Sequence, residues 1–207
     1  YLGNSNNPPD FIIKHGPAVE VKKIEGTNPN GLALNSSYPK DYLHKDDPRI
    51  KNECRMCEDE YGGWNKKDMI YAVGNVKNNK LYNLWFIYGD CYCASRETYE
   101  KIAESIKEGV SHIPDVEFSE TKELGRVNKV DPLGITYLRI RGMWGIDHPA
   151  SVFKELVNDN SNIYILLTKK SHDKIKEKPD FSSYLKSGQL EIHEVQIDNP
   201  NNQIGRA

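Results

Sequence analysis

No stretch of this chain is apolar for long enough to span a membrane, and its first residues carry no secretory-signal pattern. Charge of one sign is not in excess either. Lys and Arg number 28 against 30 Asp and Glu, for a formal net charge of −2. That balance counts against a non-specific nucleic-acid coat protein, which needs a global basic field. It leaves room for a nuclease, whose acidic metal ligands lower the net charge. No G-x-x-x-x-G-K-[ST] motif occurs, so nucleotide-driven translocation is not indicated. No internal repeat is present. Cysteine is scarce: four residues, as Cys54-x2-Cys57 and Cys91-x-Cys93. Close pairs without a secretion signal point to a reducing compartment, with thiols or metal rather than a disulfide framework.

What is present fits one domain of mixed α/β (α+β) class with a real hydrophobic core. The chain opens on Tyr1 rather than Met, followed by the turn-rich run 3–9, as expected of a piece of a longer protein. Residues 10–15 and 18–24 read as two short strands joined by a Gly-Pro turn. Residues 26–60, dense in Gly, Asn, Ser, Pro and Asp, read as mostly irregular. Residues 68–77 and 81–89 are apolar, aromatic and β-branched around Asn78-Asn79-Lys80, which predicts a hairpin. Ser95 is placed to cap a helix over 96–108, with Gly109 as its stop. Residues 135–141 and 163–168 read as strands, the second buried, and 190–197 as a last strand. A helix is expected to start near Asp147 or His148, and the lysine-rich 169–178 to be a solvated surface segment.

The first hairpin carries charges that an ordinary core strand does not need. Side chains alternate along a strand, so Glu20 and Lys22 share one face while Val19, Val21 and Lys23 share the other. The adjoining strand can bring Asp10 beside Glu20. Two carboxylates side by side repel, and a divalent cation resolves the conflict. Hard oxygen ligands suit Mg²⁺, with substrate phosphate filling out its shell. Lys22 can orient a water or stabilise developing negative charge. This is phosphodiester hydrolysis chemistry. Pro9-Asp10, nine intervening residues and Glu20-Val21-Lys22 resemble the PD-(D/E)XK nuclease motif. The plainer reading is a surface salt bridge from Glu20 to Lys14 or Lys22.

A more specific resemblance is carried by YLGNSNNPPD (1–10), AVEVKKIE (18–25), LALNSSYPK (32–40), ASRETYEKI (94–102) and ELGRVNKVDPLGITYLRIRGMWGI (123–146). In these stretches the chain resembles the NgoPII family of type II restriction endonucleases. The resemblance implies a restriction-endonuclease-like core, a central mixed sheet flanked by helices. It further implies Mg²⁺-dependent cleavage of double-stranded DNA at a short palindrome, GGCC, by a homodimer in the bacterial cytoplasm. Asp10 and Glu20 then stand as metal ligands, the Val21 carbonyl as a further ligand, and Lys22 as the catalytic lysine. Family members begin with a helical segment ahead of the Tyr1 position, so such a segment is expected in the native protein.

Other residues are candidates for DNA contact. Lys23, beside the active strand, is one. Asn35, Ser36 and Ser37 are short hydrogen-bonding side chains that can hold a phosphate or simply form a turn. Arg126, Lys129, Arg139 and Arg141 are interleaved with Asn128 and glycines. Arginine forks match the O6 and N7 acceptors of guanine. The neighbouring Tyr137, Met143 and Trp144 are expected in the core. Cys54, Cys57, Cys91 and Cys93 are a candidate structural Zn²⁺ site, against the alternative of buried reduced thiols. His15 and His148 read as turn or surface residues. The rival readings are another PD-(D/E)XK nuclease, of repair or structure-selective type, and a non-catalytic zinc-stabilised DNA-binding module.

Overall fold

A computed structural model of the chain describes residues 1–4, 6–34, 37–113, 117–118, 124–175 and 180–196. The centre is a mixed sheet. Its strands are β1 (Leu2–Asn4), β2 (Asn7–Ile12), β3 (Ala18–Glu25), β6 (Lys66–Lys77), β7 (Lys80–Tyr88) and β12 (Ile163–Leu166), in that spatial order. Between β3 and β6 in sequence lie β4 (Leu32–Leu34) and β5 (Tyr42–His44), and β5 pairs with the start of β6. The same connection contains the short helix α1 (Asn52–Met56). β3 and β6 are parallel, as are β7 and β12, while β2–β3 and β6–β7 are antiparallel. The region expected to be irregular therefore supplies a parallel crossover.

Period-two patterning builds the core. Met69, Tyr71, Val73 and Asn75 of β6 all point to one face and are almost fully buried. Trp85 and Ile87 of β7 join them, and the Trp85 ring stacks on Tyr164 of β12 at 4.1 Å. The β6–β7 turn uses two residues rather than three. Asn78 and Asn79 take φ of 51° and 59°, and Lys80 already pairs with Lys77. Consecutive left-handed residues give a turn whose twist matches the strands, and Asn tolerates that conformation better than most side chains.

The helix α2 (Arg96–Ser111) starts where Ser95 predicts but runs through Gly109. It packs against β9 (Gly125–Asn128), the middle strand of a separate sheet formed with β8 (Glu117–Phe118) and β10 (Leu138–Ile140). The predicted strand 135–141 thus shortens to three residues. β11 (Trp144–Ile146) pairs with β4 as a separate two-stranded sheet, which brings the chain after β10 back to the connection between β3 and β6. Tyr137 and Met143, expected in the core, are 57% and 74% exposed; only Trp144 of that trio packs on the core. β12 is buried on one face only, because Ile163 and Ile165 stay exposed. No strand forms over the described residues 190–196. The lysine-rich segment begins as the helix α4 (Lys169–Asp173), in which Ser171 is buried and bonded to Asp90. A further short helix is α5 (Ser182–Lys186).

His148 is completely buried, not a surface residue. It caps α3 (Pro149–Val152): its Nδ1 accepts from the Ala150 amide, which leaves Nε2–H to donate to Asn75 Oδ1 at 2.8 Å. Asn75 in turn donates to the carbonyls of Gly26 and Asn28. Burial lowers the His148 pKa from its ordinary value. The unfolded chain therefore takes up this proton first as pH falls through about 6.5, and the stabilisation held above that pH is lost. Thermal melts from pH 7.5 to pH 5.5 should show wild type losing more stability than His148→Gln. Parallel slopes would disprove the linkage.

Candidate active site

The β2–β3 register pairs Phe11 with Val19 and Ile12 with Ala18. Continued by one step, it sets Asp10 opposite Glu20 on the face that Ile12, Ala18 and Ile24 bury. Asp10 Oδ2 accepts the Val21 amide at 2.6 Å, which fixes the carboxylate beside β3. Lys22 Nζ lies 2.8 Å from Glu20 Oε1, with side-chain exposures of 23% and 14%. The ion pair that the plainer reading put on the surface is therefore inside the site. Glu20 Oε2 is buried and has no hydrogen-bond partner. Burial raises the Glu20 pKa most, the Lys22 hydrogen bond and charge lower it, the Asp10 charge raises it, and Lys40 lowers it.

An orphaned carboxylate oxygen next to a second carboxylate is unfavourable unless a cation completes the arrangement. The donor set fits a hard divalent ion: Asp10, Glu20 and the Val21 carbonyl oxygen are all oxygen donors on adjoining strands. Lys23 does not share this face. It lies on the opposite side of β3, paired with Glu25 at 2.5 Å, and both are well exposed.

A second layer was not legible in the sequence. Lys40 is 3% exposed, its Nζ 3.1 Å from Asp47 Oδ2, 2.8 Å from Ser37 Oγ and 3.9 Å from the Tyr38 ring centroid. The Lys40 amide donates to the Tyr71 hydroxyl at 2.6 Å, and Tyr71 is the β6 partner of Glu20. Gly89 lets this segment approach. A Cβ there would fall 2.3 Å from the Lys40 carbonyl oxygen. Ser37 is thus used as a hydroxyl partner of Lys40. Asn35 and Ser36 lie outside the described residues. Only the placement of LNSSYPK inside the family-like stretches could have drawn attention to Lys40; nothing in its local pattern marks it as buried.

Arg126, Asn128 and Arg139 do come together. Arg126 and Arg139 are direct cross-strand partners, and Arg126 Nε donates to Asn128 Oδ1 at 2.9 Å. Arg141 falls beyond the end of β10. The cysteines are not gathered into one site. Among the described residues, no group of three or more His, Cys, Asp or Glu side chains is placed to hold a metal ion. Burial pushes the Cys54 and Cys91 thiols up to about 12 and raises Cys93 as well.

Residues 1–198 match the family model of the NgoPII restriction endonuclease. The chain belongs to the NgoPII restriction endonuclease family. It is 44% identical over 207 residues to the type II restriction enzyme NgoPII of Neisseria gonorrhoeae, a match covering 98% of this chain and 72% of that protein. No solved structure matches. The protein is a site-specific endonuclease, a hydrolase whose substrate is double-stranded DNA. No helix among the described residues is long and apolar enough to cross a membrane.

Proposed function

We propose that this restriction endonuclease cuts a short GC-rich palindrome, GGCC, with Mg²⁺ as cofactor and as a homodimer. The observation that carries the catalytic part is the unpartnered, buried Oε2 of Glu20 beside Asp10 and Lys22. Asp10, Glu20 and the Val21 carbonyl would hold the metal. Bound there, Mg²⁺ supplies Lewis-acid polarisation of a phosphoryl oxygen and lowers the pKa of a bound water. Lys22 keeps one donor on Glu20 Oε1 and has further donors for a phosphoryl oxygen or the attacking water. Its charge offsets the negative charge that develops on the phosphorus oxygens. Asp10 is held in place by the Val21 amide, so the two carboxylates keep their separation without substrate. Burial of Glu20 on the core face excludes bulk water and strengthens each of these interactions.

The palindrome and the homodimer go together, since a two-fold protein presents the same site to each strand. The GC content is supported by the arginines of the second sheet, whose forks match guanine. A plasmid digest with Mg²⁺, beside EDTA and Asp10→Ala controls, should give discrete fragments whose sequenced ends share one palindrome. Both controls should be blank. Fragments that persist in EDTA, or ends without a common sequence, would refute the assignment.

A further inference from the structure

The two strands that carry the candidate metal ligands are not held equally. β3, with Glu20 and Lys22, pairs with β6 along its whole length, from Ala18 to Glu25. β2, with Asp10, is in register with β3 at Phe11 and Ile12, and on its other side it meets the three-residue strand β1. The place of Asp10 relative to Glu20 therefore depends on the turn that joins β2 to β3.

That turn is gripped from β6. Lys67 heads the buried row of β6 that continues through Met69, Tyr71 and Val73. Carried back by two residues, the parallel β3–β6 register brings Lys67 to Gly16. Its Nζ donates to the Gly16 carbonyl oxygen at 3.0 Å and to both carboxylate oxygens of Glu58, also at 3.0 Å. All three ammonium donors are thereby used. Glu58 follows α1, and its Oε1 accepts the His15 amide at 2.9 Å. His15 is left-handed, with φ of 58°, a conformation that a non-glycine residue holds only at some cost. Tyr61 packs on the same turn. Its ring meets His15 edge-on at 5.1 Å, and its hydroxyl accepts from Lys14 Nζ at 3.1 Å.

Glu58 and Lys67 are both buried. A buried ion pair is a weak source of stability, because desolvation offsets much of its attraction. What this pair provides is position. It bonds two consecutive residues of the turn, His15 through its amide and Gly16 through its carbonyl, and ties them to the strand that also holds β3. The turn, β6, β3 and β2 then form a closed circuit of hydrogen bonds in which Asp10 and Glu20 have fixed places.

We propose that Glu58 and Lys67 are positioning residues for the reaction: clamped across the β2–β3 turn, they hold Asp10 beside Glu20 as the ligand pair of the metal. Groups one layer behind the ligands orient them without touching the ion. This inference deepens the catalytic reading above and rests on it. The Val21 amide, which donates to Asp10 Oδ2 at 2.6 Å, reports directly on where Asp10 is held.

The test compares wild type with two variants. Glu58→Leu with Lys67→Met removes the clamp without stranding a charge. Glu58→Asp keeps an acid beside Lys67 but shortens its reach by one methylene, and it carries the test if the double variant melts early. Amide hydrogen exchange is followed residue by residue by NMR, without metal or DNA. In the double variant the Val21 amide should exchange at least about tenfold faster, while the amides of the β6–β7 pair exchange as in wild type. Glu58→Asp should act in the same sense but less. Plasmid cleavage is then titrated with Mg²⁺. The concentration giving half the maximal rate should rise about 10- to 100-fold in the double variant, and saturating Mg²⁺ should restore most of the rate. Unchanged Val21 exchange in both variants, faster exchange spread evenly over the sheet, or an unchanged Mg²⁺ requirement would overturn the proposal. Faster Val21 exchange in variants of a protein whose wild type cuts without Mg²⁺ would refute the metal reading and leave the positioning of Asp10 standing.

Discussion

Glu20→Gln should abolish measurable cleavage, a loss of about 10³-fold or more, without lowering thermal stability. The two halves of that expectation come from one fact. The Glu20 carboxylate is mostly removed from water, one oxygen is paired with Lys22 and the other has no partner. In the absence of a cation this arrangement is a cost to the fold, and burial shows it by raising the Glu20 pKa. The amide keeps the shape, removes the charge and relieves the repulsion from Asp10. It also removes the charge that would hold a metal and that sets Lys22. Losing one preorganised charge at a phosphoryl-transfer site costs about 10²–10³-fold, and losing a metal ligand with it costs more. Activity residues that weaken the fold are the usual signature of a site kept for chemistry. Melting and single-turnover cleavage on the same preparation decide the matter. A variant that melts well below wild type, or one that keeps more than a tenth of the activity, would mean that Glu20 holds the sheet rather than the reaction.

The second large effect is structural. Asp47→Ala should cost about 3–5 kcal/mol of stability, read as a fall in melting temperature of about 10 °C or more. Lys40 and Asp47 side chains are each 4% exposed, so removing the acid strands an ammonium in the interior. Burial already lowers the Lys40 pKa against the raising effect of Asp47. The pair replaced together, as Lys40→Met with Asp47→Leu, should recover most of the loss, because the cost lies in the unpaired charge. Cleavage should still suffer in the double variant, since the charge of Lys40 acts on Glu20. A melting temperature within about 2 °C of wild type for Asp47→Ala would show that water reaches the pair.

The difference between these two charged sites shows what local sequence could reveal. The juxtaposition of Asp10, Glu20 and Lys22 was readable because they sit on two adjoining strands at a fixed spacing. Alternation puts Glu20 and Lys22 on one face, and a short turn sets Asp10 opposite Glu20. Lys40 and Asp47 have no such rule. They lie in the crossover between parallel strands, where composition suggests loop and solvent. Their burial follows from Gly89, 42 residues beyond Asp47, admitting the Lys40 backbone, and from Tyr71 of β6 bonding to it. His148 was misread for the same reason. A histidine before a proline is a fair helix cap, but only the arrival of Asn75 from β6 makes it a buried one.

The sequence by itself determined the hairpin with its three charged residues, the long β6–β7 pair, and the start of α2. Each depends on contacts within a few residues or across one tight turn, where period and turn chemistry suffice. The tertiary structure decided the rest. It joined β3 to β6 in parallel, buried Lys40 against Asp47, buried Cys54, Cys91 and Cys93, and left Tyr137 exposed beside Arg126. Those outcomes hang on which distant segments share a surface, and the energy that settles them is desolvation. A charge or thiol has no fixed cost until the fold decides how much water it keeps.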